Sequence, residues 1–258
     1  MDVDALTEHT VAEAVRAAGI EAPPAFFDVT GSTNSDLMRR ATDGAPEWTV
    51  AVAGEQIAGR GRLGRTWVAP PGTSLLVSVL LRPEMPPPEA PLLSLAAAVA
   101  MAEAIEAVCG VRVGCKWPND LLAGDRKIGG VLPEASIRDG RLEHAVIGAG
   151  VNLLQGPGDF PLELRDSATS VRIEGGLADP AALLTAYLQN LRRRTAEPGD
   201  LDDYRARCVT MGREISATTG SGSTVRGRAL DIGPMGELSL ETAEGTETIA
   251  FGEVVHLS

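Results

Sequence analysis

Residues 54–67 have the sequence GEQIAGRGRLGRTW, in which arginines alternate with glycines. The arginines are Arg60, Arg62 and Arg65, and the glycines between them are Gly59, Gly61 and Gly64. Arginine supplies a fixed positive charge and a planar fork of donors that matches phosphate or carboxylate. Glycine lets the backbone approach a ligand closely. The stretch therefore predicts a loop that holds an anionic small molecule, with a solvated basic loop as the alternative.

The chain as a whole is acidic, so this loop concentrates positive charge against the general trend. Its 258 residues carry 35 acidic and 23 basic side chains, a net charge of −12. That balance disfavours general nucleic-acid binding, which needs clustered Lys and Arg. Residues 1–9 lack the pattern of a secretory signal, and the most apolar stretch, residues 92–102, is too short to span a bilayer. We expect a cytoplasmic protein that binds neither nucleic acid nor membrane.

Cysteines and histidines are too scattered to predict a metal centre. They are Cys109, Cys115, Cys208, His9, His144 and His256. No two cysteines have CxxC spacing, so neither a disulfide framework nor a zinc site is predicted. The default interpretation of the cysteines is as buried small thiols.

Alternation and turn signals predict the elements of the first half of the chain. Helices are predicted at residues 4–18, 37–41 and 92–108, and strands at 26–29, 48–53, 74–81, 111–116 and 144–151. Residues 121–122 and 129–134 predict a hairpin with its turn at 123–126. Ser32 and Thr33 are predicted helix caps, with Asp36 in the first turn. The apolar helix at 92–108 should lie buried against a sheet.

Polar residues recur at the strand ends, at Gln56, Lys116, Lys127 and Asn152. Further along, Asp179-Pro180 starts a helix to about residue 194, and a short helix covers about 201–209. Five short strands then follow at 214–218, 224–230, 237–241, 246–251 and 253–257, which predicts a small β-barrel. The predicted domains are residues 1–210 and 211–258.

Five short motifs together resemble the biotin–protein ligase family. They are GSTN at 31–34, EQIAGRGRLGRTW at 55–67, KWPNDLL at 116–122, RKIGGVLPE at 126–134 and GAGVN at 148–152. Each alone is a weak signal, but five in the family's order are strong, and the match covers about residues 26–170. The resemblance implies an α+β fold: a mixed-sheet catalytic domain like those of class II aminoacyl-tRNA synthetases and biotin ligases, followed by an SH3-like β-barrel.

The chemistry implied by this resemblance has two steps. Biotin's carboxylate attacks the α-phosphorus of ATP, giving biotinyl-5′-AMP and pyrophosphate. A lysine of a biotin carboxyl carrier protein then attacks the mixed anhydride, and AMP leaves. Because the first step joins two anions, the site needs Arg, Lys and a divalent cation, Mg²⁺ carried with ATP. The contact with the carrier is expected to be transient, and a monomer is favoured.

The resemblance also assigns roles to individual residues. Biotin would contact Ser32, Thr33, Asn34, Gln56, Gly59, Arg60, Gly61, Arg62 and Lys127. The nucleotide would contact Arg65, Trp67, Lys116, Asn119, Asp120 and Asn152. Arg62, Lys127 and Lys116 would act at the reacting centre. No residue is assigned to a protein metal site.

Several of these residues also have a structural interpretation. Trp117 and Pro118 fit core and turn positions, and Asn119 and Asp120 are turn formers. Asp120 is as well explained by orienting a lysine or arginine as by contacting ligand. Trp67 is either a core anchor or a stacking surface for adenine, and Lys127 is either a site residue or a solvated hairpin lysine. Arg65 either contacts the adenylate or pins the loop.

Three other functions remain open from sequence: a lipoate–protein ligase or related acyltransferase, a non-enzymatic regulator that binds DNA, and a passive nucleotide-binding module. The arginine–glycine loop and KWPND favour biotin over lipoate. A single short helix before Pro23-Pro24 is too little for a helix-turn-helix domain. The glycine-rich loop is expected to be mobile when empty and to order over bound ligand.

Overall fold

The computed structural model describes residues 5–219, 222–250 and 252–257. Its five α-helices within those residues are α1 (Glu8–Ala17), α2 (Thr33–Thr42), α3 (Ala90–Cys109), α4 (Pro180–Ala196) and α5 (Asp202–Arg207). The predicted start of α1 at Asp4 and the end of one predicted strand at Phe251 lie outside the described residues. The helix ends follow from sequence: Thr7 caps α1 with its side chain, and Asp179 caps α4.

A seven-stranded mixed sheet forms the larger part of the molecule. Its strands are β1 (Ala25–Thr30), β2 (Val50–Gln56), β3 (Ser74–Leu81), β4 (Gly114–Lys116), β5 (Asp120–Ala123), β6 (Arg126–Arg138) and β7 (Arg141–Asn152). Their order across the sheet is β1-β2-β3-β7-β6-β5-β4. β1 and β2 are parallel, and every other neighbouring pair is antiparallel. The predicted mixed sheet is therefore confirmed.

The two faces of this sheet differ because side chains alternate along each strand. In β3, Leu75, Val77 and Val79 join the main core, which also contains α1, α3 and α4. On the other face, Leu80 packs with Leu37 of α2 in a smaller cluster. The sheet thus has one thick apolar layer and one thinly covered face, and the thinly covered face is where a site has room to form.

Helix α3 is buried, as the sequence predicted. The segment Pro87–Cys109 is the one stretch among the described residues that is long and apolar enough to cross a membrane, with a mean hydropathy of 1.9. In this fold 78% of its apolar window is buried. Its hydrophobicity is therefore accounted for by the core it fills against the sheet and α4.

A five-stranded antiparallel sheet makes up the C-terminal part. Its strands are β8 (Glu214–Thr219), β9 (Thr224–Ile232), β10 (Leu238–Thr242), β11 (Gly245–Ile249) and β12 (Gly252–His256), in the order β11-β10-β9-β8-β12. This is the strand content expected of an SH3-like fold. Trp117 makes one of its contacts with the larger part: the indole donates to Gly236 O at 2.8 Å, and the backbone N–H donates to Thr210 Oγ1.

Two local predictions are wrong. The strand predicted at 111–116 is only Gly114–Lys116, because residues 110–113 approach the sheet without pairing even though Val111 and Val113 are buried. Ser32 stands at the N-cap of α2, but its side chain makes no capping hydrogen bond. Asp36 does lie in the first turn, where it accepts from Thr30 Oγ1 at 2.5 Å.

Candidate active site

One cavity of about 730 Å³ lies on the thinly covered face of the large sheet and reaches the C-terminal sheet. The four strand-end residues predicted to form a common floor all line it: Gln56, Lys116, Lys127 and Asn152. Every other residue predicted from sequence to touch biotin or nucleotide also lines it, except Gly59. The motifs quoted above therefore converge on one cavity, although they are spread over more than 120 residues of the chain.

At one end of the cavity, Thr33 and Gln56 are joined directly. Gln56 Oε1 accepts from the Thr33 backbone N–H at 2.8 Å and from Thr33 Oγ1 at 3.1 Å. Ser78 Oγ, which is fully buried, lies 2.7 Å from Thr33 Oγ1. These bonds fix the GSTN turn against the end of β2. They fully engage the Gln56 oxygen, which leaves its Nε2 to face a ligand.

Asn34 is held from all sides. Its Oδ1 lies 2.6 Å from Ser78 Oγ, and its Nδ2 donates to Leu132 O and to Glu134 Oε2. A Cβ on Gly148 would meet Asn34 Oδ1 at 2.2 Å, so glycine is required there. The amide of Asn34 therefore positions the turn, and its place among the ligand-contacting residues stays a prediction.

The arginine–glycine loop folds as a tight hairpin. Trp67 N–H donates to Gly59 O, and Gly61 N–H donates to Arg65 O at 2.7 Å. A Cβ on Gly59 would approach Trp67 O to 2.6 Å, so Gly59 serves the hairpin. Arg60 forms an ion pair with Glu134 at 2.6 Å. The ion pair between Arg60 and Glu134 thus joins the loop to β6.

Arg62 points into the cavity from the tip of this hairpin. Its Nη1 donates to Asn119 Oδ1 at 3.2 Å, and Asn119 Nδ2 donates to Val131 O. Burial lowers the pKa of the Arg62 guanidinium, against the opposing influence of Asp120. Asn119 is thus the link between the loop tip and the floor, which a purely turn-forming residue would not provide.

Two lysines and one carboxylate form the charged floor. Lys127 Nζ lies 2.5 Å from Asp120 Oδ1, and Lys116 lies directly opposite Asp120 in the backbone register of β4 and β5. Burial lowers the pKa of the Lys116 amine, while Asp120 opposes that shift. Lys127 is only partly exposed, so it is not the solvated hairpin lysine of the alternative interpretation. Asp120 orients Lys127 and also lines the cavity.

Trp67 forms one wall of the cavity. Its indole lies so close to Gly150 that a Cβ there would meet Trp67 Cε2 at 2.9 Å. Its Nε1 is buried and has no hydrogen-bond partner in the described part of the chain. Lys127 Nζ is 6.0 Å from the ring centroid. The ring is half-buried, packs against β7 and lines the cavity, so its stacking on adenine stays a prediction.

Asn152 and Trp117 have mainly structural contacts. Asn152 Nδ2 donates to Thr169 O, and its Oδ1 accepts from Gln155 Nε2, so its amide is already satisfied. Trp117 is 2% exposed, which confirms the core interpretation of that residue. Asn152 still lines the cavity, and its predicted contact with adenine stays a prediction.

The C-terminal sheet completes the cavity wall. Arg65 of the loop forms an ion pair with Glu253 of β12, so Arg65 pins the loop in this state. Beside it, Arg213 Nη1 lies 3.2 Å from His256 Nδ1, and Arg213 Nη2 donates to Asp125 at 3.1 Å. The cavity is therefore bounded by both sheets.

Within residues 5–219, 222–250 and 252–257, no group of three or more His, Cys, Asp and Glu side chains could hold a metal ion. The three cysteines are free and buried. Burial raises the pKa of the Cys115 thiol to about 12, which makes it an inert core residue.

Family models match the chain over both of its sheets. The model described as "Biotin/lipoate A/B protein ligase family" matches residues 26–152, and that described as "Biotin protein ligase C terminal domain" matches residues 210–257. A biotin–(acetyl-CoA-carboxylase) ligase of Mycobacterium tuberculosis is 37% identical over 240 residues, which is 88% of this chain and 86% of the relative.

The chain belongs to the biotin/lipoate A/B protein ligase family.

Another relative and a solved structure are also ligases. A bifunctional ligase/repressor BirA of Bacillus subtilis is 36% identical, over 89% of this chain and 72% of the relative. Among solved structures, a biotin protein ligase from Aquifex aeolicus in complex with biotin and ATP has a TM-score of 0.76 at 24% identity, covering 91% of this chain and 99% of that one. That likeness establishes the fold, including the C-terminal sheet.

Several residues that line the cavity or support its wall were not predicted from sequence. Ser78 had one available signal, since it is the only polar side chain within the buried run LLVSVLL. Glu134 ends the motif RKIGGVLPE but was given no role, and Arg213, Glu253 and His256 carried no signal that separates them from ordinary surface residues. They become recognisable only once the loop and the C-terminal sheet are folded against the floor.

Proposed function

We propose that this protein is a biotin–protein ligase that activates biotin with ATP to biotinyl-5′-AMP and transfers biotin to a lysine of a carrier protein. The observation that carries the proposal is the convergence of the GSTN turn, the arginine–glycine loop and the lysine floor on one cavity. A cavity of about 730 Å³ is large enough for a nucleotide and a small acid together. A passive nucleotide-binding module needs no second, small-acid end.

Biotin's ureido ring belongs at the Thr33–Gln56 end. A urea offers both donors and an acceptor, and this end supplies hydroxyls and an amide fixed by the bonds already described. Ser32, whose hydroxyl is not used for capping, lines the same end. These groups are preorganised, so little ordering cost is added on binding.

The carboxylate and the α-phosphate meet between the loop tip and the floor. There Arg62, Lys116 and Lys127 converge, and partial burial strengthens their attraction for anions. They offset the repulsion between two anions and the charge that spreads over the phosphoryl oxygens. The carboxylate oxygen bonds to the α-phosphorus as the bond to the pyrophosphate oxygen breaks.

The nucleotide lies along Trp67. The glycine at position 150 lets the indole pack against β7 while the ring lines the cavity, where adenine can stack on it. Mg²⁺ would arrive on the triphosphate, and Asp120 is a carboxylate of the floor that would be able to approach it. When bound, Mg²⁺ neutralises phosphate charge.

In the second step the carrier's lysine amine attacks the anhydride carbonyl, and AMP leaves. We propose a transient complex with a biotin carboxyl carrier domain, a monomeric ligase in the cytoplasm without affinity for DNA, and a domain division near residue 210. The net charge of −12 supports the absence of DNA binding, since that function needs clustered Lys and Arg. Sedimentation tests whether the ligase is monomeric. A mobility shift on operator DNA tests whether it lacks affinity for DNA.

The deciding experiment is pyrophosphate exchange with labelled ATP and Mg²⁺, run with biotin and, separately, with lipoate. We expect exchange with biotin alone, and biotin transfer when an acceptor domain is added. Arg62→Ala and Lys127→Ala should each lower adenylate formation by about 10²-fold or more while circular dichroism stays unchanged. Exchange driven by lipoate alone would replace biotin with lipoate as the substrate.

A further inference from the structure

Glu134 lies outside the cavity wall but contacts two elements that do form it. Its Oε2 accepts from Arg60 Nη2 at 2.6 Å and from Asn34 Nδ2 at 2.8 Å. Arg60 belongs to the arginine–glycine loop, and Asn34 belongs to the GSTN turn. A single carboxylate oxygen therefore joins a surface loop to the fixed end of the cavity.

From Asn34 the contacts continue without a gap to Gln56 at the end of β2. Asn34 Oδ1 lies beside Ser78 Oγ, Ser78 Oγ lies beside Thr33 Oγ1, and Thr33 donates to Gln56. The chain of contacts from Arg60 to Gln56 thus follows the cavity wall, which Arg60, Asn34, Thr33 and Gln56 all line. Its inner members are buried, which limits how far each can move independently.

We propose that Glu134 is a positioning residue that holds the arginine–glycine loop closed by anchoring Arg60 to the GSTN turn. The carboxylate does not need to touch substrate. It fixes the base of the loop, and the hairpin then delivers Arg62 to the reacting centre. The part concerning kinetics rests on the proposed ligase function, whereas the part concerning loop closure does not.

The charges favour this assignment over a simple surface ion pair. Arg60 and Glu134 have side chains only 41% and 27% exposed, and the bond is short and charge-assisted. A fully solvated pair contributes little because water and salt screen it. Here the carboxylate is also aligned by Asn34, so it is already oriented before Arg60 arrives.

The test compares Glu134→Gln with Glu143→Gln. Glu143 is a matched control, because its carboxylate is 33% exposed, pairs with Arg138 on the same sheet and lies outside the cavity. Both changes keep side-chain size and remove one charge. Trypsin cleaves after arginine, so cleavage after Arg62 and Arg65, identified by peptide mass, reports loop opening in protein without substrate.

We expect Glu134→Gln to speed cleavage in the loop by roughly fivefold, and Glu143→Gln to leave it unchanged. In the exchange assay, Glu134→Gln should raise the KM for biotin by a similar factor with a smaller effect on kcat. In an Arg60→Ala background, Glu134→Gln should have no further effect on either readout. A general structural role would add its effect to that of Arg60→Ala.

Equal loop cleavage in wild type and Glu134→Gln would overturn the inference, whatever the activity. Additive effects in the Arg60→Ala background would overturn it as well. Absence of exchange in wild type would instead contradict the proposed function and leave the cleavage comparison intact. Thermal unfolding of each variant checks that cleavage reports the loop and not global unfolding.

Discussion

Two glycines of strand β7 make room for the site. Gly148 faces Asn34 and Gly150 faces the Trp67 indole, each closer than a Cβ would allow. Both lie on the thinly covered face of the sheet, while Ala149 and Val151 between and after them point into the main core. The alternation in GAGVN therefore reflects a strand with one packed face and one face left open to ligand.

Gly150→Ala should displace the Trp67 indole and weaken nucleotide binding. A Cβ 2.9 Å from Trp67 Cε2 forces the ring to move. We expect the KM for ATP to rise by about tenfold or more, because one good aromatic contact with the nucleotide is lost. Gly199→Ala is the control, since nothing lies within 4 Å of its Cβ. An unchanged KM for ATP in Gly150→Ala would remove Trp67 from the nucleotide site.

The sequence predicted which residues line the cavity better than it predicted what each of them contacts. Motif order placed Thr33, Gln56 and Lys127 correctly at one cavity. Motif order did not reveal that the Asn34 amide is hydrogen-bonded to Glu134 and Ser78, because only sheet pairing brings those partners together. Side-chain hydrogen bonds between distant segments have no local sequence pattern.

Among the secondary-structure elements, the pattern of apolar residues identified strands that are buried or that pair with a neighbouring strand along each edge. β3 matches its predicted bounds, and α3 differs by a residue or two at each end. The failure at residues 110–113 has a physical reason: Val111 and Val113 alternate as in a strand, but no neighbouring strand extends that far. Alternation reports burial, whereas strand assignment also needs a hydrogen-bonding partner.

The arginine–glycine loop is the element whose behaviour should change most with ligand. It is fastened by contacts at its two sides, Arg60 to β6 and Arg65 to β12, while Leu63 at its tip is exposed. We expect saturating biotin plus ATP to slow tryptic cleavage within residues 59–67 by at least tenfold, because bound adenylate adds contacts to Arg62. ATP without biotin should protect much less; equal protection would argue against closure over the adenylate.

At the scale of the whole molecule, the two sheets are joined by a buried hydrogen bond. Trp117→Phe removes the indole donor and leaves the Gly236 carbonyl unpaired, so it should lower the free energy of unfolding by about 1–3 kcal/mol. Trp48→Phe removes the same atoms at a half-buried position and should cost less. Urea titration of both variants measures the difference, and equal costs would show that the contact between the sheets contributes little.

The C-terminal sheet also gives the molecule a dependence on pH. His256 Nδ1 faces Arg213, which can only donate, so Nδ1 accepts and Nε2–H is left to bond Thr210 Oγ1. Burial, together with the charges of Lys116 and Arg213, lowers the pKa of His256 to about 4, with Asp125 opposing. A proton on Nδ1 would break the contact with Arg213 and add a like charge beside it.

Since the folded pKa lies below the unfolded value of about 6.5, the unfolded chain binds more protons. Stability should therefore fall as the pH drops below about 6.5 and continue to fall toward pH 4. After discounting for partial exposure, His256 should account for about 1–2 kcal/mol of that loss. Buried His144, whose pKa is also lowered by burial, adds in the same direction. Urea titrations at pH 7.0, 5.5 and 4.5 should show a shallower decline in His256→Gln, and an identical decline would mean that this histidine titrates normally in the folded protein.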